Sequence, residues 1–412
     1  MQNNEYREVY LGELLEGTIR NGYSPLPADK QTGYWVLGLG ALGDDGIRIN
    51  EVKPVTPEES VLQNILNTDD FLVSRSNTPD KVGRSIRFQG EIENCSFPDL
   101  MMRFRIDKNK ADICYIEQIL KSFNVRNYFK TCAAGSSSTM VKINKGILEK
   151  TPIFLPSLNH QKKISEILST WDQAISITAK LLKNSQQQKK ALAQQLLTGK
   201  KRLLDENGLR FGEQWKQARV ADLLRVRKEK QIPTVDVPLF SLTIEDGITP
   251  KSDRYNREFL VKNTDEKKYK VVKPKDIVYN PANLRWGAIN FSRLNHSVVV
   301  SPIYEVLYVS EKEKISLEFI AQKLMTIDQI NRFASMVEGT LVERMAVKIE
   351  PFLATKLSIP SSLKEQEKIA EVLEVADQEI ENLQKKLDCL KREKKALMQQ
   401  LLTGKKRVKV AA

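Results

Sequence analysis

The sequence predicts an α+β fold in which two mixed α/β domains are linked by two long helices. Three observations lead there: the length, an internal repeat at an offset of 205 residues, and a heptad stripe inside each copy of that repeat. At 412 residues the chain is too long for one ordinary domain and suits several, each with its own core.

The repeat organises the chain. KKALAQQLLTGKKR occupies Lys189–Arg202 and KKALMQQLLTGKKR occupies Lys394–Arg407, the two differing only at Ala193 versus Met398. Upstream at the same offset, Gln161, Ile164, Leu168, Asp172, Gln173 and Ile175 fall on Gln366, Ile369, Leu373, Asp377, Gln378 and Ile380. A proline-punctuated stretch precedes each copy, TPIFLPSL at Thr151–Leu158 and LSIPSSL at Leu357–Leu363. It reads as a strand end passing through a turn into a helix.

Within each copy apolar residues alternate at spacings of four and three, as in a coiled-coil seam. Helix pairing is expected through Ile164, Leu168, Trp171, Ile175 and Leu182 in the first copy, and through Ile369, Leu373, Ile380, Leu383, Leu387 and Leu390 in the second. Thr178, Ser185, Lys189 and Lys394 are polar seam positions that can fix register at some cost in stability. Each helix ends in a Thr-Gly pair, Thr198-Gly199 and Thr403-Gly404, with glycine where a C-terminal cap favours it. Helices of about 35 residues are about 50 Å long, and neither hides its stripe alone. The seam is compatible with parallel and with antiparallel pairing.

The expected organisation is a globular domain over 1–154, a helical segment over 155–208, a second globular domain over 209–358 and a second helical segment over 359–412. Short apolar runs bounded by turn residues mark strands, among them Tyr34–Gly40, Asp70–Asn77, Tyr269–Asn280 and His296–Val309. Amphipathic helices are expected around Cys114–Asn127 and Leu317–Ala334. Weak echoes tie the globular halves together: Leu39–Ile47 with Ser241–Ile248, and Thr139–Ile143 with Met345–Ile349. The globular halves read as diverged copies and the helices as retained ones.

Lys and Arg total 65 against 52 Asp and Glu, a net charge of +13 that draws polyanions such as nucleic acid. The four cysteines lie 18 or more residues apart, so no CxxC metal knuckle or redox pair forms locally, and unpaired thiols are expected. Two histidines, His160 and His296, are few for a zinc hydrolase or a histidine-based acid/base enzyme. No apolar run reaches the roughly 18 residues of a membrane span, so no membrane partner is expected. The N-terminal stretch lacks the basic and apolar regions of a secretory signal, which points to a cytoplasmic protein.

Base readout needs Arg, Lys, Asn or Gln on loops, and Ser or Thr hold phosphates. The candidates in the first half are Arg75, Ser76, Asn77, Lys81 and Arg84 after an apolar strand, and Ser136, Ser137 and Ser138 in a glycine-led loop. In the second half they are Asn280, Asn283 and Arg285, beside Trp286, with Thr340 and Arg344 in the counterpart of the glycine-led loop. The bland alternative for each is a solvated loop with no partner. The clusters Lys200-Lys201-Arg202 and Lys405-Lys406-Arg407 read as charges favourable to the helix dipole. No catalytic or metal site is expected: Tyr279–Asn283 lacks the second proline and the aromatic of an amino-methyltransferase NPPY motif. Thr198–Lys201 likewise lacks the upstream glycine and the Ser/Thr of a phosphate-binding loop.

The order of parts, with Pro156, Gln161, Ile164, Leu168 and Asp172 answered by Pro360, Gln366, Ile369, Leu373 and Asp377, resembles the specificity subunits of type I restriction-modification systems over essentially the whole chain. The LLTGKKR endings at Leu196–Arg202 and Leu401–Arg407 resemble that family's spacer helices. The resemblance implies two target-recognition domains held apart by an antiparallel coiled coil, each reading one half-site of double-stranded DNA. It implies two methyltransferase subunits and restriction/translocase subunits as partners. S-adenosylmethionine, ATP and magnesium would then lie in those partners, and this chain would carry no cofactor and no catalysis. The rival from another class is a coiled-coil scaffold with non-specific nucleic-acid affinity, which predicts no preference among DNA sequences.

Overall fold

Each long helix begins where a proline stops a strand. Strand Pro152–Leu155 ends at Pro156 and the first long helix runs Leu158–Leu197; strand Lys356–Ile359 ends at Pro360 and the second runs Leu363–Leu401. Both helices stop at a left-handed glycine, Gly199 (φ 74°) and Gly404 (φ 72°), the conformation that closes a helix at least cost when no side chain is present. The computed structural model describes residues 6–43, 46–137, 140–250, 267–338 and 345–410, with 135–137 described by backbone alone. The chain divides into two units, Met1–Ala179 with Lys385–Ala412, and Lys180–Gln384.

In the first unit, strand Arg7–Tyr10 pairs antiparallel with Pro152–Leu155, tying the start of the domain to the strand that leads into the helix. A four-stranded antiparallel sheet, in the order Arg20–Asn21, Met101–Phe104, Phe71–Ser74 and Ser85–Arg87, carries the core. Two short helices, Ile113–Lys121 and Phe123–Cys132, stand in place of the single predicted stretch. Ser122 separates them: its extended backbone (ψ 154°) ends the first, and its side chain accepts from Val125 N to cap the second. Tyr115, Ile116, Ile119, Leu120, Val125 and Phe129 form the buried face of this pair.

The second unit repeats the plan. Lys216–Arg219 pairs antiparallel with Lys356–Ile359. A four-stranded antiparallel sheet runs Leu224–Val226, Glu305–Val309, Ile277–Tyr279 and Ile289–Phe291. Helices Leu317–Leu324 and Ile327–Ser335 take the place of the second predicted amphipathic stretch. Val298–Val300, a run with every residue buried, pairs antiparallel with Tyr269–Val272.

Each core is closed by both long helices. Ile164 and Leu168 of the first helix join Leu401 at the end of the second and Leu402 just past it in the core of the first unit, while Leu196 and Leu197 join Ile369 and Leu373 in the core of the second. The helical segments therefore run antiparallel within each unit, settling what the seam left open. Side chains of this size contribute about 1.5–3 kcal/mol each when fully buried, so the stripe is held by the domains as well as by the partner helix. The predicted seam residues are all buried or half-buried, Trp171, Ile380, Leu383 and Leu390 being the half-buried ones.

Candidate nucleic-acid interface

The candidate loops grow out of the central strand of each sheet. In the first unit, buried Phe71–Ser74 leads to Arg75, whose N–H donates to Leu100 O at 2.8 Å, and then into the short strand Ser76–Asn77. That strand pairs with Met140–Lys142, which in turn pairs with Ala134–Ser137. The two predicted loops are thus brought side by side, and Ile143 N donates to Arg75 O at 2.9 Å. The second unit makes the same joint: Val347 N donates to Pro281 O at 3.0 Å, and Arg285 Nη1 reaches Met345 Sδ at 3.4 Å. The sequence echo between Thr139–Ile143 and Met345–Ile349 marks this shared contact.

Several predicted residues need correction. Ser76 (1% exposed), Asn77 (8%) and Asn280 (8%) do not face solvent. Their side-chain capacity is spent on their own loops where it is paired: Asn77 Oδ1 accepts from Thr78 N at 2.9 Å, and Asn280 Oδ1 accepts from Ala282 N at 3.1 Å. These asparagines shape the loops that carry other side chains. Ser136 and Ser137 lie in strand Ala134–Ser137 rather than in an open loop, because the chain there finds a hairpin partner in Met140–Lys142. Ser138, Thr340 and Arg344 lie outside the described residues.

The remaining candidates are available to varying degree. Lys81 is exposed, and Arg75, Arg84, Asn283 and Arg285 are half-buried. Arg84 Nη1 donates to Leu42 O at 3.3 Å. The Arg285 guanidinium lies 4.1 Å from the centre of the Trp286 ring, and that tryptophan is 56% exposed. An exposed aromatic stacked under a cation offers both an apolar face and positive charge, chemistry suited to a base or a sugar–phosphate edge.

The motif shared by the two helices turns out to build the joint between domain and helix. Gln161 accepts from Asp112 N at 2.8 Å and donates to Pro156 O at 2.7 Å; Gln366 accepts from Ser316 N at 3.0 Å and donates to Pro360 O at 3.0 Å. Asp172 meets Lys394 at 2.6 Å in the first unit, and Asp377 meets Lys189 at 2.5 Å in the second. The last residue of each motif thus pairs with a polar seam lysine of the other helix, and the same exchange occurs in both units. Such pairs fix register more than they stabilise, since both are partly solvated.

Sequence reasoning missed two contacts at the helix ends. Arg202, read as a dipole charge, is held by fully buried Glu365 through two bonds of 2.5 and 2.7 Å. Lys323 is buried and donates its Nζ to Leu197 O, while its charge lies 5.7 Å from the Trp215 ring. Burial pushes the Lys323 ammonium below the usual lysine range. In the first unit Arg87 bridges Asp69 at 2.9 Å and Glu117 at 2.8 Å, bracing strand Ser85–Arg87 against helix Ile113–Lys121. Burial alone would raise the Glu117 carboxyl, but Lys121 and Arg87 outweigh it and hold it below its ordinary range.

Among the described residues no group of three or more His, Cys, Asp or Glu is arranged to hold a metal ion, and no helix is long and apolar enough to cross a membrane. Residues 57–185 match the model of the type I restriction modification DNA specificity domain. The chain is 26% identical to a candidate MjaX type I restriction enzyme specificity subunit of Methanocaldococcus jannaschii, over 98% of this chain and 94% of that one. The fold is similar to the crystal structure of a type I restriction-modification S subunit from M. genitalium, with a TM-score of 0.61 at 14% identity, covering 98% of this chain and 97% of the other. A chain from a structure on complex assembly and conformational transition in the type I restriction-modification system gives a TM-score of 0.52 at 13% identity over 97% of both. Residues 57–185 are thus similar to a type I restriction modification DNA specificity domain, and over 98% of its length the chain is similar to a type I restriction enzyme specificity subunit.

Proposed function

We propose that this chain reads a bipartite target in double-stranded DNA, one half-site per recognition domain, with the gap between them set by the two long helices. The single observation that carries the reading is the contrast between the two parts of each unit. The helical joint is built twice from the same Gln, Ile, Leu and Asp residues, while the loops after the central strands carry different side chains, Arg75 and Lys81 in one and Asn283, Arg285 and Trp286 in the other. A constant frame carrying two unlike reading surfaces suits an unsymmetrical pair of DNA words.

The repeated frame also suits two copies of one methyltransferase subunit, and restriction/translocase subunits complete the complex. In this reading the chain performs no chemistry. S-adenosylmethionine, ATP and magnesium belong to the partner subunits.

Methylome sequencing of a methylation-free bacterial host tests this. The host expresses the cognate modification subunit with or without this chain. Methylated adenines in a two-part motif, present only with this chain, are the expected result. A modification complex that forms but methylates without a motif refutes the reading and leaves a scaffold in its place.

A further inference from the structure

The first unit holds a basic groove of about 620 Å³ that none of the predicted reading residues except Arg84 enters. Its cationic lining comes from two sources. Arg84, Lys121 and Arg126 belong to the globular domain, and Lys391, Lys394 and Lys395 belong to the last three turns of the second long helix. Only two carboxylates line it among the described residues, and each already has a lysine: Asp80 meets Lys130 at 3.1 Å, and Asp172 meets Lys394 at 2.6 Å.

The arginines are positioned rather than merely present. Arg126 donates from Nη1 to Val82 O at 2.7 Å and from Nη2 to Asp80 O at 3.0 Å. Bonds to carbonyl oxygens orient a guanidinium without removing its charge. Lys391 and Lys395 are exposed and stand four residues apart, so they share one face of the helix. A second, independent feature lies in the same wall. Ser85 lines the groove, is buried, and its Oγ has no hydrogen-bond partner. A buried hydroxyl without a partner is costly, and its place here is beside a set of cations.

We propose that this groove grips the phosphodiester backbone of the DNA duplex, independently of sequence. It deepens the reading of the chain as a DNA-reading subunit by assigning a phosphate clamp shared between the first recognition domain and the end of the second helix. Flexible lysines spread along one helix face suit phosphate oxygens, contacts that fix a duplex in position and carry no sequence information. An acidic protein partner is the competing occupant, and the experiment separates the two.

The test is the double variant Lys391→Gln/Lys395→Gln in the full chain, complexed with its modification subunit. Binding to a random-sequence duplex of about 30 base pairs is measured from 50 to 200 mM salt. Two lost phosphate contacts should lower the slope of log affinity against log salt by about 1.8, and 0.15 raised to that power predicts an affinity loss of about 30-fold at 0.15 M salt. A control variant, Lys150→Gln/Lys162→Gln, removes two exposed lysines of the same unit that do not line the groove, and should leave the slope within about 0.3 of wild type. An unchanged slope in the groove variant overturns the proposal, as does an equal loss in the control. So does loss of modification-subunit binding with DNA affinity of the assembled complex intact, which would identify the groove as a protein contact. Because the duplex is random, the result stands apart from whether the chain prefers a two-part word.

Discussion

Arg202→Ala should unfold the second unit well before the wild-type protein does. Glu365 is fully buried, and Arg202 meets both its oxygens, at 2.5 and 2.7 Å, while donating to Glu213 O at 2.8 Å. Removing the arginine strands a buried carboxylate, a change that costs about 3–5 kcal/mol in comparable pairs. The Arg202 side chain keeps 19% of its surface in water, so some screening remains and the lower end, about 3 kcal/mol, applies. Lys180–Gln384 spans 205 residues (384 − 180 + 1), a size at which each kcal/mol moves the melting temperature by about 2–4 °C. The expected drop is therefore about 6–12 °C. Calorimetry of Arg202→Ala beside the double variant Arg202→Met/Glu365→Leu gives the comparison. Replacing both partners by apolar groups leaves no stranded charge, so the double variant should regain most of the loss. A drop under 2 °C for the single variant, or a double variant no more stable than the single, would refute the argument.

Two further outcomes follow from the helix ends. Gly199→Ala places a Cβ 3.2 Å from the Trp215 ring in a left-handed backbone, and Gly404→Ala does the same 3.0 Å from Tyr6. Each should cost about 1–2 kcal/mol in urea unfolding, and a variant as stable as wild type would contradict the cap. Lys323 titrates in the fold below the ordinary lysine value of 10.5, so the unfolded chain binds that proton more tightly. Stability then rises with pH between the lowered native value and 10.5. Relative to Lys323→Met, the wild type should gain stability across that window; a pH-independent difference between the two proteins counts against the burial argument.

The long helices were legible because a heptad stripe and a Thr-Gly stop are local signals. Their direction was not, since it depends on which aspartate meets which lysine, and Asp172 and Lys394 are 222 residues apart. The pairing Arg202–Glu365 was hidden for the same reason, across 163 residues. At the candidate interface, residue type singled out the segments after the central strands but not their exposure. Ser76, Asn77 and Asn280 are the polar residues a reading loop wants, yet a bend after a buried strand also needs polar side chains to satisfy its own backbone. Ala134–Ser137 lacks the apolar, β-branched residues of a strand, and only its neighbour Met140–Lys142 makes it one.

The glutamine joints have a consequence for how such a protein changes. Gln161 and Gln366 reach only backbone atoms: the amides of Asp112 and Ser316 at helix starts, the carbonyls of Pro156 and Pro360, and, for Gln366, the carbonyl of Lys314 as well. An amide at the first turn of a helix is unpaired whatever the side chain there, so this fastening makes no demand on the domain's own sequence. The glutamine and the proline carbonyl belong to the helical segment, so a domain with a rewritten surface meets this joint provided its backbone delivers the amide of a helix start at the right place. The helices and the globular domains can then be altered separately, each without retuning the other.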